Sequence, residues 1–363
     1  MTAHAMLDHY RRASVHFMAD AWSSSGHTVH FTTIGHSWLS IAKDPARWRA
    51  MRARQSNRYV ETASGVHAGA YLPPLHAFSS RHRQLHWLSK PAFSLYGAYI
   101  PRFLRLALRD ADIILIESGS ALAFFAAARR LNSRARIVYF CRDLLQSIGA
   151  APALQAIEQR LMSSFDLVCV PSAKLGAMLP AGGRVRVIPQ GVDTGAFERS
   201  RPSPYPPGTR NAVCAGGMQF DQAIVVKMAT AAPDVGFHIV GASWRGERPA
   251  NVTVHPEGSF DALVPFIVHA DFGIAPYRSA PALGYLAESS LKLAQYSYCR
   301  LPVVLPRAAA CARSNAVAYD KSDEMDWRGL INTALAMPHR PEFRDGIASW
   351  DEIGRQTLDA ILE

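Results

Sequence analysis

Short apolar runs alternate with helical stretches along the whole chain, and this alternation limits the fold more than any other feature of the sequence. The runs are apolar on both faces, which is typical of parallel strands covered by helices on either side of the sheet. The predicted strands are 29–34, 112–116, 136–140, 166–170 and 185–188 in the first half and 211–215, 236–240, 252–255, 272–275 and 302–305 in the second.

A proline-rich segment, 200–210, separates the two halves. It reads SRPSPYPPGTR and contains four prolines, which fix φ and remove backbone donors, so it suits a linker better than a strand. We predict an α/β protein with two doubly wound, Rossmann-like domains that face each other across a cleft. The domains are 1–195 and 196–345, followed by a C-terminal helix, 346–363, that can pack back toward the first domain. Ligands of such folds bind at the carboxyl ends of the strands, so the cleft is the expected site.

The positive charge of the chain is concentrated near its start. Residues 1–110 carry 14 Lys and Arg against 5 Asp and Glu, whereas the rest carries 25 against 24. A basic face attracts nucleic acid, anionic lipid or a phosphorylated acceptor, although it can also be a merely solvated surface. The segment 86–109 favours an anionic membrane surface, because aromatic residues alternate there with basic ones. These residues are Trp87, Phe93, Tyr96, Tyr99, Phe103, Lys90, Arg102, Arg105 and Arg109. No nucleic-acid-binding signature accompanies them, so we expect no nucleic acid partner.

Cysteine usage and hydropathy indicate the compartment. The five cysteines form no C-x-x-C pair, which fits a reducing environment. No secretory signal opens the chain, and no uninterrupted apolar stretch reaches the roughly 18 residues of a membrane span. We expect a cytoplasmic protein that is peripherally associated with the inner membrane. Residues 1–3 resemble the end of a strand, so we expect either a reduced first strand or an additional one ahead of it.

The stretch 285–296 predicts an anion site at the start of a helix. Ser289 or Ser290 can cap that helix, Lys292 then falls in its first turn, and Gln295 follows one turn later on the same side. Free N–H groups and partial positive charge at a helix N-terminus, with a lysine beside them, suit a diphosphate. An ordinary capped helix with a surface lysine is the alternative.

Two further strand ends carry candidate residues. Gly216 and Gly217 follow the strand 211–215, and paired glycines there let the backbone approach a ligand closely. Asp143 follows the strand 136–140, where a carboxylate can act as general base toward an acceptor hydroxyl. Glu117, after the strand 112–116, is its competitor. Either acidic residue can instead be a helix cap.

Other chemistries lack their signatures. The chain contains neither a P-loop nor a G-x-G-x-x-G after a strand, so nucleotide hydrolysis and hydride transfer lose support. Ten of the fourteen histidines precede residue 110, and His82 and His86 share a predicted helix face, but no carboxylate or cysteine completes a ligand set. We expect no metal and no other cofactor, because Lys292 and the helix end can offset the charge of a leaving diphosphate.

These motifs resemble those of the bacterial exopolysaccharide glucuronosyltransferases of xanthan assembly, the GumK-like family, whose two Rossmann-like domains form the GT-B fold. The similarity covers nearly the whole chain. The densest matches are 11–17, 116–119, Asp143 with its preceding strand, 191–193, 217–221, 272–277 and 285–296.

The resemblance implies an inverting, metal-independent transfer of glucuronate from UDP-glucuronate. The acceptor would be an oligosaccharide on a polyprenyl diphosphate at the inner leaflet. By position, Asp143 would be the general base, and Glu117 and His4 are secondary candidates on the acceptor side. The nucleotide-binding residues would be Gly217, Met218, Glu257, Tyr277, Ser290, Leu291, Lys292 and Gln295.

The chain departs from the family at some of these positions. Leu291 stands where the family has methionine, Gln190 where it has histidine, and Ala5 where it has an acidic residue. Arg245 and Arg278 are candidates for reading the sugar carboxylate. The alternatives are a GT-B enzyme with another donor, such as UDP-glucose or GDP-mannose, and a non-catalytic paralogue that binds a sugar nucleotide.

Overall fold

The computed structural model describes residues 1–8, 10–77, 79, 86–199, 201–279, 283–310, 313–322 and 324–363. His82, Ser200 and Cys311, as well as the side chains of His86 and Trp87, lie outside the described part. The chain forms two compact units. Unit 1 comprises Met1–Leu7, Ala13–Pro189 and Asp351–Glu363, and unit 2 comprises Asp8–Arg12 and Gln190–Trp350.

Unit 1 contains two sheets within its described residues. Its strands are β1 (His30–Thr33), β2 (Tyr59–Glu61), β3 (His67–Ala70), β4 (Ile113–Glu117), β5 (Arg136–Phe140), β6 (Leu167–Val170) and β7 (Val185–Val187). One sheet has the order β1-β3-β2, with β2 antiparallel to β3, and the other is parallel with the order β4-β5-β6-β7.

The backbone of Met1 and Thr2 lies between β1 and β4. The Thr2 N–H donates to the Thr32 carbonyl (3.0 Å), and the Ile34 N–H donates to the Thr2 carbonyl (2.8 Å). On the other side, the Glu117 N–H donates to the Met1 carbonyl (3.1 Å). These two residues therefore join the sheets of unit 1 and bring Thr2 to the carboxyl end of β4.

Helices cover the sheets of unit 1. They are α1 (Ser14–Ser24), α2 (Pro45–Gln55), α3 (His86–Ala98), α4 (Arg102–Asp110), α5 (Phe125–Leu131), α6 (Pro152–Leu161) and α7 (Ala173–Ala177), with 3-10 turns at Trp38–Ala42, Ser120–Phe124 and Met162–Ser164. The strands β5 and β6 form the centre of the core, because eight of their nine residues are buried.

Unit 2 is built on a parallel sheet whose described strands run in the order β10-β9-β8-β11-β12-β13. They are β8 (Arg210–Ala215), β9 (Val235–Val240), β10 (Val252–His255), β11 (Phe272–Ile274), β12 (Val303–Pro306) and β13 (Ala316–Tyr319). This is the strand order of the Rossmann fold. From β8 successive strands are added toward one edge of the sheet, and from β11 they are added toward the other edge. Ligands of such sheets bind at the switch point between β8 and β11.

The helices of unit 2 are α8 (Thr194–Glu198), α9 (Gln222–Ala231), α10 (Phe260–Val268), α11 (Leu283–Ser289), α12 (Leu291–Tyr298), α13 (Arg307–Ala310) and α14 (Trp327–Ala336), with a 3-10 turn at Pro341–Arg344. The last helix, α15 (Trp350–Leu362), belongs to unit 1 from Asp351 onward. There the indole of Trp22 donates to the Gly354 carbonyl (3.0 Å), and Arg136 donates to the Ile361 carbonyl (2.5 Å).

The predicted α/β class is confirmed, and each of the predicted strands is found within one residue at either end. The sequence did not predict β2, β3 and β13. The expectation of strands buried on both faces is wrong for β7, whose three residues are all exposed because it lies at the edge of its sheet. No helix in the described ranges is both long and apolar enough to cross a membrane.

Candidate active site

Tyr296 fixes α12 against the switch point of the unit 2 sheet. The Tyr296 hydroxyl accepts from the Ala215 N–H (2.8 Å) and donates to the Val213 carbonyl (3.1 Å), both at the end of β8. The ring lies on Gly273 of β11, where an added Cβ would come within 2.6 Å of it. Because only glycine leaves room for this ring, α12 can approach both strands that flank the switch point.

Lys292 projects from the first turn of α12 toward the loop that follows β8. Its Nζ donates to the Gly216 carbonyl (3.2 Å) and lies 5.2 Å from the centre of the Tyr277 ring. The hydroxyl groups of Tyr277 and Ser290 are hydrogen-bonded (2.8 Å). Burial raises the pKa of Tyr277, so the phenol is neutral at pH 7. A lysine charge and two hydroxyl groups therefore meet at the start of the helix.

The prediction that Ser289 or Ser290 caps α12 is right for the position of Ser290 and wrong for a side-chain hydrogen bond to the helix. Ser289 lies in α11 and donates to the Tyr285 carbonyl (2.9 Å). Ser290 occupies the N-cap position, but its hydroxyl is bonded to Tyr277 and makes no capping hydrogen bond. The first N–H groups of α12 thus have no capping side chain among the described residues, and such groups are suited to bind an anion.

The loop after β8 depends on its two glycines. Gly216 has a φ of +75°, which L-residues with side chains rarely adopt. A Cβ on Gly217 would lie 3.2 Å from the Cα of Ala242, so the loop packs closely on the segment after β9. Two backbone hydrogen bonds of 2.7 Å, from Asp221 to Pro276 and from Arg278 to Gln219, tie this loop to the segment after β11.

A cavity of about 940 Å³ opens beyond the carboxyl ends of β8, β9 and β10. The predicted residues Gly217 and Glu257 line it. Trp244, Arg248 and His255 line it as well, and the sequence reasoning missed them. Their only signal in the sequence is their position, because Trp244 and Arg248 follow β9 and His255 ends β10.

The other predicted nucleotide-binding residues also belong to unit 2. Met218 is 48% exposed in the loop after β8, and Leu291 is half-buried at the first position of α12. Gln295 lies one turn beyond Leu291 and is buried. Glu257 is exposed, and its Oε1 lies 3.8 Å from Nε of Arg11. The fold therefore brings the predicted set to one edge of one sheet, and contacts join Tyr277, Ser290 and Lys292 directly.

Unit 1 places a buried carboxyl group at the end of β4. Glu117 is 5% exposed and accepts a hydrogen bond from the Thr2 hydroxyl, and its Oε1 lies 3.7 Å from His4 Nε2. Burial raises the pKa of Glu117 to about 7. The carboxyl group therefore exchanges its proton near neutral pH, a property that is common at functional sites.

Asp143 lies on the bend after β5, two residues beyond Cys141 and directly after Arg142. It is half-buried, whereas Arg142 is buried. Strands β4 and β5 pair with Glu117 opposite Phe140, so both candidate acids lie at the same edge of the sheet. The alternative that they are helix caps is wrong, because the N-caps of the next helical segments are Gly119 and Ala151.

Unit 1 is rich in histidine, which is a common metal ligand. Across the part of the chain that the structure describes, no three or more His, Cys, Asp or Glu side chains form a group that could hold a metal ion.

The fold is that of the GT-B class. The apo structure of OtsA matches with a TM-score of 0.66 and 13% identity over 98% of both chains. HepE from Anabaena, solved in complex with UDP and glucose, matches with a TM-score of 0.63 and 15% identity over 97% of this chain and 96% of its own. At these identities the likeness establishes the fold.

Sequence similarity identifies the family. Residues 1–171 match the family model of the N-terminal domain of the glucuronosyltransferase GumK. The chain is 32% identical over 352 residues to the UDP-glucuronate:glycolipid 2-beta-glucuronosyltransferase of Xanthomonas campestris pv. campestris. That match covers 96% of this chain and 86% of the relative. The chain therefore belongs to the GumK glucuronosyltransferase family, as its sequence motifs predicted.

Proposed function

We propose that the protein transfers glucuronate from UDP-glucuronate to an oligosaccharide on a polyprenyl diphosphate, as a step in exopolysaccharide biosynthesis. The observation that carries the proposal is that Lys292 and the N-terminus of α12 lie together at the switch point of unit 2. The Xanthomonas relative, by its name, uses UDP-glucuronate and a glycolipid, and its similarity over 96% of the chain supports the same pair of substrates.

In this mechanism unit 2 binds UDP. Lys292 and the N–H groups of α12 hold the diphosphate, and the Ser290 hydroxyl, which Tyr277 positions, adds a hydrogen bond. Uridine occupies the cavity lined by Gly217 and Glu257. Negative charge grows on the diphosphate as the bond to the sugar breaks, and a preformed positive site stabilises that charge most in the transition state. No metal ion is required for this step.

Asp143 supplies the base. Its ionised carboxylate accepts the proton of the acceptor hydroxyl while that oxygen attacks the anomeric carbon from the face opposite UDP. One carbon–oxygen bond forms as the bond to UDP breaks, so the configuration at the anomeric carbon inverts. An α-linked product would contradict this mechanism, and NMR of the purified product reads the linkage.

Calorimetric titration without added metal tests the donor assignment. We expect UDP and UDP-glucuronate to bind, and GDP-mannose to bind at least about tenfold more weakly, because polar groups that pair with uracil would be left unpaired by guanine. A preference for UDP-glucuronate over UDP-glucose would show that the sugar carboxylate is read. Failure of all the uridine nucleotides to bind would refute the proposed donor site.

We propose further that unit 1 docks on the anionic cytoplasmic surface of the inner membrane. The structure changes the predicted set of anchors: Phe93 and Tyr96 are buried, so the prediction is wrong for them, whereas Tyr99 is 66% exposed. Leu95, which lies in α3 four residues before Tyr99, is 73% exposed. The exposed arginines that accompany them on α4 are Arg102, Arg105 and Arg109.

The double substitution Leu95→Ser and Tyr99→Ser should weaken membrane binding by at least about tenfold, because burial of each side chain in the interface stabilises the bound state by roughly 1.5–3 kcal/mol. Co-sedimentation with phosphatidylglycerol and phosphatidylethanolamine vesicles measures this. Met178→Ser is the matched control, since Met178 is 47% exposed elsewhere in unit 1. Equal binding of the double variant and the control would rule out the segment 95–99 as the docking element.

A further inference from the structure

The guanidinium group of Arg142 is buried without a hydrogen-bond partner among the described residues. Arg142 is 6% exposed, and none of its three side-chain nitrogens has an acceptor in the described part of the chain. Its Cζ lies 4.4 Å from the centre of the Phe140 ring, so the cation packs on an aromatic face. Burial lowers the pKa of Arg142 to about 10, so the group is still charged at pH 7.

A charge in this position is unfavourable for folding. Burial removes water from the ion, and this desolvation costs free energy of folding. Replacement of a buried charged side chain by an apolar one of similar size therefore often leaves protein stability unchanged or raises it. Departures of this kind occur mainly at functional sites, where activity and stability make different demands. Arg142 directly precedes Asp143, the general base of the proposed function.

Several titratable groups face Arg142. Glu117 and Asp143 both raise the pKa of Arg142, against the larger effect of burial. The backbone links the three, because the Arg142 N–H donates to the hydroxyl of Ser118 (3.3 Å), the residue after Glu117. Cys141 and Cys169 also lie near the guanidinium, but burial raises their thiol pKa values, so both are neutral at pH 7.

Glu117 has its own set of neighbours. The Thr2 hydroxyl donates to its carboxyl group, His4 lies at 3.7 Å, and the amino group of Met1 is close enough to affect its charge. Burial raises the pKa of Glu117, and Thr2, Met1 and Arg142 each lower it in part. Arg142 is thus the buried cation that the two carboxyl groups at this edge of the sheet share.

We propose that Arg142 is a positioning residue whose buried charge acts on Asp143 and Glu117 and holds Asp143 in the ionised form that a general base requires. This inference rests on the proposed function for the role of Asp143, but the charge coupling itself does not. Arg142 makes no contact with substrate in this scheme, because its nitrogens are wholly enclosed.

The pH dependence of transfer is the first test. In Arg142→Met the positive field is lost, both carboxyl groups bind protons more tightly, and the acid limb of kcat/KM should move to higher pH by about one unit or more. Arg142→Lys should restore most of the shift. Phe140→Leu removes the ring beneath the guanidinium but keeps the charge of Arg142, so the acid limb of its kcat/KM profile should stay in place. If Arg142→Met lowers kcat/KM equally at every pH and the acid limb of the profile does not move, the proposal is overturned.

The pH dependence of unfolding tests the coupling without turnover. The pKa of Glu117 in the folded protein, about 7, exceeds its ordinary value of 4.5. Its contribution to stability is therefore complete below pH 4.5 and is lost as pH rises through about 7. In Arg142→Met this loss should occur at higher pH, and the protein should be no less stable than wild type at pH 5.

Glu117→Gln isolates this signal, because the amino group of Met1, whose pKa burial lowers to about 6, titrates in the same range. The loss near pH 7 should vanish in Glu117→Gln and should not reappear when Arg142→Met is added. Coincident unfolding profiles of wild type and Arg142→Met would overturn the proposal. A shifted profile in an enzyme that transfers no glucuronate would support the coupling and refute the proposed function.

Discussion

Replacement of Asp143 with asparagine should slow glucuronate transfer by about 10²–10⁴-fold, the usual contribution of a general base. Asparagine has nearly the same shape but cannot accept the proton of the acceptor hydroxyl. The residues proposed to bind UDP belong to unit 2, whereas Asp143 belongs to unit 1, so the affinity for UDP should change by no more than a few fold. Initial rates with UDP-glucuronate and glycolipid acceptor, together with UDP calorimetry, measure both effects.

Glu117→Gln is the matched comparison, since it neutralises the neighbouring carboxyl group at the same edge of the sheet. We expect a smaller loss of rate, because Glu117 is buried and bonded to Thr2. Normal turnover by Asp143→Asn together with an inactive Glu117→Gln would assign the base to Glu117.

Lys292→Ala should weaken UDP binding by about 10- to 100-fold, the range expected when a hydrogen bond from a charged group to a phosphate is removed. The structure gives a second reason, since Lys292 is held in place by the Gly216 carbonyl and the Tyr277 ring before any ligand binds. Little of its binding energy is therefore spent on ordering the side chain. Calorimetry with UDP alone measures the effect, and the glycolipid is not needed.

Lys227→Ala controls for the loss of a positive charge from unit 2, because Lys227 is an exposed residue of α9. It should leave the UDP affinity unchanged, and Lys292→Arg should restore part of the lost affinity. If Lys292→Ala and Lys227→Ala bind UDP equally well, Lys292 does not hold the diphosphate.

The apolar runs predict the buried strands well because burial on two faces demands continuous apolar sequence. The apolar runs do not predict β2 and β3. Two of the three residues of β2 are exposed, and β3 reads HAGA, whose Ala and Gly have low strand propensity. These segments are strands because β3 pairs with both β1 and β2. That pairing is not visible in the local sequence.

In the candidate site too, local sequence predicts some features, whereas others depend on residues that are distant in the chain. Helix periodicity and spacing indicate a lysine in the first turn of a helix, and the structure has it there. Local sequence could not show that the Ser290 hydroxyl bonds to Tyr277 instead of to the helix, because these partners are 13 residues apart. Nor could it show that Arg142 is buried with no hydrogen-bond partner among the residues that the structure describes, since arginine is usually exposed. The roles assigned through the family resemblance stay predictions until the variants are measured.

The placement of α15 has a consequence for how the protein is made. Unit 1 includes Asp351–Glu363, which follow the whole of unit 2 along the chain. During synthesis, the surface around Trp22 and Arg136 that α15 covers stays open until the ribosome has finished unit 2. A fragment that stops ahead of Trp350 would keep that surface exposed to solvent and to other nascent chains. Unit 1 is therefore completed only after unit 2 has been made, and it cannot be excised as one continuous piece.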